Sequence, residues 1–238
     1  MRQLLYKIKS SLLGLYSYPK LISEKLSYED YWHNKKKDAL GLPNSFQLER
    51  GKWIAERILE DSSVVDIGCG DGSVLFAIKK IKNISATGLD VSSFILDFLK
   101  RNDVESYYFD LLDKDAISSI PIRDHALILE VLEHMSDPEN FLLQTIEKVN
   151  KSVFISIPNT GFIQHRIRLL FGKFPLQWRT HPSEHLRFWT VDDFKWWLQS
   201  LNLHHKTHFE CYAGIPILNK IFPSLFCQGI IAEIKRVR

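Results

Sequence analysis

Val64-Val65-Asp66-Ile67-Gly68-Cys69-Gly70-Asp71-Gly72-Ser73 is the stretch that decides the fold. An apolar run carries an acid near its end, glycines follow at alternate positions, and Val74 to Ile81 is largely apolar again. This is the pattern of a buried strand, a tight turn and the start of a helix. Glycine tolerates positive φ and has no Cβ, so a ligand can lie directly on the backbone there. The helix start adds unpaired N–H groups and a positive dipole end. A dinucleotide fingerprint would need G-x-G-x-x-G, and after Gly68-x-Gly70 the third position is Ser73.

Outward from that turn, strands and helices alternate. Upstream, Phe46 to Leu59 places Phe46, Leu48, Trp53, Ile54, Ile58 and Leu59 on an amphipathic helix. Val64 to Ile67 is strand one and Gly72 to Lys80 the first crossover helix. Ser85 to Leu89 is strand two, closed by Asp90, and Ser92 to Lys100 is a helix capped by Ser92 or Ser93. Tyr107 to Phe109 is a short strand three ended by Asp110, and His125 to Leu129 is strand four. Asp137-Pro138 opens a helix reaching about Val149, with proline at an early position. Ser152 to Ile157 is strand five, Thr190 caps a helix to Leu201, and His204–Tyr212 and Gly229–Arg236 are the last two strands. Such alternation predicts right-handed crossovers and a doubly wound, mainly parallel α/β sheet of seven strands.

The chain has 238 residues and a net charge of +3, which suits one soluble domain with an elaboration and gives no reason to expect a nucleic-acid partner. Three scattered cysteines argue for a reducing, cytoplasmic compartment. Residues 1–45 read as an N-terminal helical cap or lid, and 46–238 as the main domain with insertions at about 160–188 and 214–226. Leu4, Leu5, Ile8, Leu12 and Leu15 recur at helical spacing beside Arg2, Lys7 and Lys9. That face fits a cover for the cleft, a homodimer contact or a weak contact with an anionic membrane surface. The apolar run from Ile215 to Phe226 fits a lid, a dimer patch, a membrane contact or simple packing.

Open α/β sheets bind ligands at the carboxyl ends of their strands. Asp66, Asp90 and Asp110 stand at that edge after three strands. Asp90 follows the glycine turn by about 20 residues, where an acid can take both hydroxyls of a ribose. Asp110 is placed to accept from an adenine amino group. The D-x-G-C-G-x-G pattern resembles motif I of the class I S-adenosylmethionine-dependent methyltransferases, and the resemblance covers roughly residues 46 to 210. It implies S-adenosylmethionine as cofactor, contacted by Asp66, Gly68, Gly70, Gly72, Asp90, Val91, Asp110, Leu111 and Glu130.

After strand four comes Glu130-Val131-Leu132-Glu133-His134. If the strand passes directly into a helical turn, Glu130, Glu133 and His134 share a face. They could hold a divalent cation or supply a general base for a hydroxyl, with His134 the best suited. E-V-L-E-H resembles motifs of the ubiquinone-pathway O-methyltransferases and of small-molecule enzymes of surface-glycan clusters. It is also similar to the methyltransferases of small-RNA terminal 2′-hydroxyls, whose Glu-x-x-Glu-His and later His bind a metal. That resemblance implies Glu130, Glu133, His134 and His185 as ligands of magnesium, manganese or iron, though no RNA-binding module fits in this chain. The stretch from Ile157 through Lys173 looks like the methionine-biosynthesis W-type proteins, whose recorded role is with an acyltransferase. This keeps open a non-catalytic, methyltransferase-like partner of a biosynthetic enzyme.

The segment after strand five is rich in fixed positive charge. Asn159, Arg166, Arg179, His181 and Arg187 are the candidate substrate contacts, and they suit an anionic acceptor. The expectation is an O-methyltransferase acting on a nucleotide-sugar, surface-glycan precursor or phosphorylated metabolite that carries a hydroxyl.

Overall fold

The computed structural model describes residues 29, 31–32, 40–113, 115–177 and 185–236. The amphipathic stretch expected over residues 4–15, Arg179 and His181 lie outside the described residues. Seven strands form one sheet in the order β3-β2-β1-β4-β5-β7-β6. They are β1 (Ser62–Ile67), β2 (Ile84–Asp90), β3 (Glu105–Tyr108), β4 (Arg123–Leu129), β5 (Val149–Pro158), β6 (Thr207–Tyr212) and β7 (Gly229–Lys235). β1 to β5 run parallel, and β7 is antiparallel to both β5 and β6.

Alternate residues of the central strands feed two cores, one on each face of the sheet, as the period of two requires. Val65, Ile67, Ala126, Ile128, Val153 and Ile155 pack beneath α4 (Pro138–Glu147) and α6 (Val191–Ser200). Val64, Leu127, Phe154 and Ile231 pack beneath α1 (Ser45–Ala55), α2 (Ser73–Lys79) and α3 (Ser93–Arg101). The helices start where their caps are. Ser92 accepts from Ile95 N, Asp137 from Asn140 N, and Thr190 forms a reciprocal capping box with Asp193.

Several boundaries differ from the sequence reading. Strand three ends at Tyr108, so Asp110 stands two residues beyond it rather than at its tip. His204–Lys206 is a turn of 3₁₀ helix, and strand six begins only at Thr207. α1 stops at Ala55, and Phe46, Leu48 and Leu59 are exposed, while Trp53, Ile54 and Ile58 are buried. The expected apolar stripe was therefore too long at both ends. The insertion after β5 contains α5 (Ile163–Leu170), and the one between β6 and β7 folds as two short helices, α7 (Leu218–Ile221) and α8 (Pro223–Phe226). Among the described residues, no helix is long and apolar enough to cross a membrane.

The strand order puts β1 and β4 side by side, with connections leaving in opposite directions. That is the switch point where open α/β sheets leave a crevice at their carboxyl edge. The glycine turn follows β1 and the Glu130–His134 stretch follows β4, so the two motifs flank that crevice.

Candidate active site

The glycine turn is held from below by the end of β2. Gly68 N and Cys69 N donate to the Leu89 carbonyl at 2.8 and 3.0 Å, and Gly70 N donates to Asp90 Oδ2 at 2.9 Å. Gly68 and Gly70 both have positive φ, 70° and 50°. A Cβ on Gly70 would stand 2.7 Å from the Trp32 ring, and one on Gly68 would stand 2.8 Å from Val131 Cγ2. The turn therefore has a left-handed backbone and close neighbours, and glycine satisfies both. Trp32 brings a piece of the N-terminal segment directly over the turn. Glu29 anchors that piece, accepting from Ser92 Oγ, Ser93 Oγ and Phe94 N at 2.6, 2.8 and 3.1 Å at the start of α3.

Asp66 and Asp90 are both buried beneath this turn. Burial pushes the Asp66 carboxyl up to about 8, opposed by Arg50 and reinforced by Asp90. Burial also raises Asp90, against the hydrogen bonds from Ser92, Gly70 and Val91 backbone. A cation placed here would find two acids already stripped of water. Asp110 is only half-buried, and its Oδ1 accepts from Leu112 N at 2.9 Å in a local turn; Leu111 packs against the core beside it.

The reactive edge is not the helical face expected from the spacing. Glu130 takes φ 57°, a left-handed conformation, and only Leu132–His134 form a 3₁₀ turn. The two glutamates then take different partners. Glu130 turns toward Arg50, with Nη1 to Oε1 at 2.9 Å, and also accepts from Ser156 Oγ at 2.8 Å and Tyr212 Oη at 3.4 Å. Arg50, on the buried side of α1, also donates to Ser156 Oγ and Tyr212 Oη. Sequence reasoning missed this residue. The signal was present: a lone cation four residues before Ile54, on the helix face that goes inward.

Glu133 instead points inward and is 1% exposed. Burial and the nearby Glu130 push its carboxyl well above the ordinary carboxylate range, and its Oε2 has no hydrogen-bond partner among the described residues. Ligand atoms of Glu133, His134 and His185 all lie within 4.8 Å of one another. The His134 and His185 rings meet edge to face at 4.7 Å. The long sequence gap closes because Leu186 N and Arg187 N both donate to the Glu133 carbonyl, at 2.7 and 3.0 Å. Three of the four residues expected to converge do so, and Glu130, bound to Arg50, is not among the grouped ligand atoms.

The remaining substrate candidates divide. Asn159 is fully buried, with its amide held by the Cys227 carbonyl and Gly161 N at 2.9 Å each, so it fixes a loop rather than facing an acceptor. Arg187 is bound to Glu139, which also accepts from Trp197 Nε1 at 2.7 Å. Arg166 is exposed on α5, with Nε on the Gly161 carbonyl. A separate groove of about 390 Å³, lined by Lys79, Thr87, Glu105 and Arg123, lies at the amino ends of the strands, on the edge opposite this chemistry.

Comparison with known proteins agrees with this layout. A family model for "Methionine biosynthesis protein MetW" matches residues 49–229. A mitochondrial ubiquinone biosynthesis O-methyltransferase of Candida albicans is 29% identical over 171 residues, which are 65% of this chain and 51% of that protein. The chain thus spans about half the length of that relative. Among solved structures, an S-adenosylmethionine-dependent methyltransferase from Archaeoglobus fulgidus superposes with a TM-score of 0.61 at 17% identity, over 88% of this chain and all of that one. The methyltransferase domain of a bacterial protein designated CtHen1-CN gives 0.56 at 22% identity, over 81% of this chain and all of that one.

Proposed function

We propose that this chain, which belongs to the methionine biosynthesis protein MetW family and has the class I methyltransferase fold, transfers a methyl group from S-adenosylmethionine to a hydroxyl of a small anionic acceptor. One observation carries the reading. The glycine turn tied to Asp90 and the Glu133–His134–His185 cluster lie across the same switch point, so a methyl donor on the first faces proton-accepting groups on the second.

The residues divide the work. Asp90 takes the ribose hydroxyls with the carboxylate lone pairs that Gly70 N and Ser92 N leave over. Trp32 covers the donor and keeps water off the glycine turn. Arg50 holds the Glu130 carboxylate in place beside the donor's positive end. His134, half-buried at the mouth, takes the hydroxyl proton. Transfer itself then needs mainly orientation of the two reactants.

Glu133, His134 and His185 also fit a divalent cation, because a buried carboxylate oxygen with no hydrogen-bond partner among the described residues stands beside two imidazoles. Magnesium, manganese or iron bound there would lower the pKa of the acceptor hydroxyl. The absence of any Asp or Glu between residues 159 and 177, with Arg166 exposed and Lys173 half-buried there, supports an anionic acceptor such as a nucleotide-sugar, glycan precursor or phosphorylated metabolite. The test is incubation with methyl-labelled cofactor and a panel of these compounds. Label transferred to a hydroxyl by the native chain and lost in His134→Ala is expected. Cofactor binding without turnover on any acceptor, with stable co-purification of a biosynthetic enzyme, would favour the partner role that the family match keeps open.

A further inference from the structure

Nine of the 22 large apolar side chains exposed among the described residues come from two segments of one edge. α5 and the turn after it expose Leu169, Leu170, Phe171 and Phe174, with Leu170 80% exposed. The connection between β6 and β7 exposes Ile217, Ile221 and Phe222, with Ile217 72% exposed. The segments are joined. β5 ends at Pro158 opposite Gly229, where β7 begins, and Asn159 Nδ2 donates to the carbonyls of Ser224 and Cys227 at 3.3 and 2.9 Å. Both therefore leave the sheet at the carboxyl edge of β5, beside the crevice.

Neither segment is a floppy tail. Arg168 is buried in α5, with Nε on the Phe174 carbonyl at 3.0 Å, and Lys173 N bonds the Arg168 carbonyl at 2.8 Å, so the apolar turn is braced from within. Ile217 has φ 70° and ψ −54°, and Leu218 N donates to the Pro216 carbonyl at 2.9 Å. That is a γ-turn, a strained conformation for a β-branched residue, and it is held while the side chain stays in solvent. A folded protein rarely collects such residues on one rim without something to cover them.

Charge identifies the cover. Residues 159–177 and 213–228 contain no Asp or Glu; with Arg168 buried, Arg166, Lys173 and Lys220 are the cations left toward the surface. A second copy packed by two-fold symmetry would set this rim on itself, cation against cation. Residues 1–28 carry five Lys or Arg against one Glu, so they match it no better. We infer that the rim formed by α5, its following turn and the α7–α8 connection docks the protein on an anionic lipid surface, with the crevice mouth at the headgroups. The apolar side chains enter the acyl boundary, and the exposed Arg166 and Lys220 meet lipid phosphates. The same cations can serve an anionic acceptor, but docking requires no methyl transfer, so it stands or falls apart from the proposed reaction.

The experiment is co-sedimentation of the full chain with vesicles of phosphatidylglycerol and phosphatidylcholine, against phosphatidylcholine alone. About tenfold tighter binding to the anionic vesicles is expected, weakening with salt. Leu170→Ser with Phe222→Ser should lower it by about tenfold, and Lys220→Glu should lower it on anionic vesicles only. Both variants should keep the native affinity for S-adenosylhomocysteine within about twofold, which shows that they are folded. Equal binding to both vesicle types, or none, would overturn the inference. So would a dimer in sedimentation velocity that the double serine variant dissolves, or salt-sensitive retention on single-stranded RNA by a chain that ignores vesicles.

Discussion

The two sides of the switch point are built differently. On the β1–β2 side, the crevice is lined by backbone atoms and short acids locked to one another, with Gly68, Cys69 and Gly70 all bonded to the end of β2. On the β4–β5 side, the groups are long side chains brought in from four separate places: Arg50 from α1, Glu133 and His134 after β4, His185 before α6, and Tyr212 at the end of β6. The first side is fixed in shape by its own hydrogen bonds. The second can be altered one side chain at a time without disturbing the sheet. A fold used for one donor and many acceptors needs that asymmetry.

The largest effect expected within this comparison comes from Arg50→Met. It removes the only cation among the described residues shown in contact with Glu130, and leaves Glu133 nearby as a second acid. Breaking a buried pair from one side costs about 3–5 kcal/mol, and the lower end applies because Glu130 is a third exposed. Chemical denaturation measures it. A loss below about 1 kcal/mol would mean that Arg50 is not the keystone of the second side.

A smaller effect separates the two sides by pH. Asp66 has a folded value of about 8 against an ordinary 3.8, so its contribution to stability is complete at low pH and is lost as pH rises toward 8. His125, buried against Phe154, is lowered to about 4 from 6.5 by burial and by Lys151. Its contribution is present above pH 6.5 and is lost as pH falls through 4. Asp66→Asn should therefore flatten the alkaline limb of the native stability curve, and His125→Leu the acid limb. Melting temperatures of the three proteins from pH 4 to 9 check both, and parallel curves would remove the two groups from the account.

How much of this was legible follows the same division. The β1 turn could be read from residues 64–73 because its chemistry is local: apolar strand, glycines, helix start, and an acid at a fixed distance. Ser92, Asp137 and Thr190 cap the expected helices for the same reason. Asp110 was read one step too close to its strand, since Phe109 is apolar enough to extend a strand but lies beyond the last paired residue. The left-handed turn at Glu130 was not legible, because nothing in Glu-Val-Leu-Glu-His demands a positive φ at a glutamate. Everything that depends on it was misread with it: Glu130 was grouped with Glu133, and Arg50, the residue that binds Glu130, was passed over in the amphipathic helix. Arg187 looked free for a substrate only because Glu139, which binds it, is 48 residues away in sequence.

The central claim is that the glycine turn and Asp90 hold an S-adenosylmethionine-type ligand, and isothermal titration with S-adenosylhomocysteine tests it most directly. The native chain should bind one equivalent. Asp90→Asn should bind more weakly by about 1.5–3 kcal/mol, the worth of hydrogen bonds to a charged group. No heat of binding from the native chain, or the same affinity in both proteins, would contradict the claim.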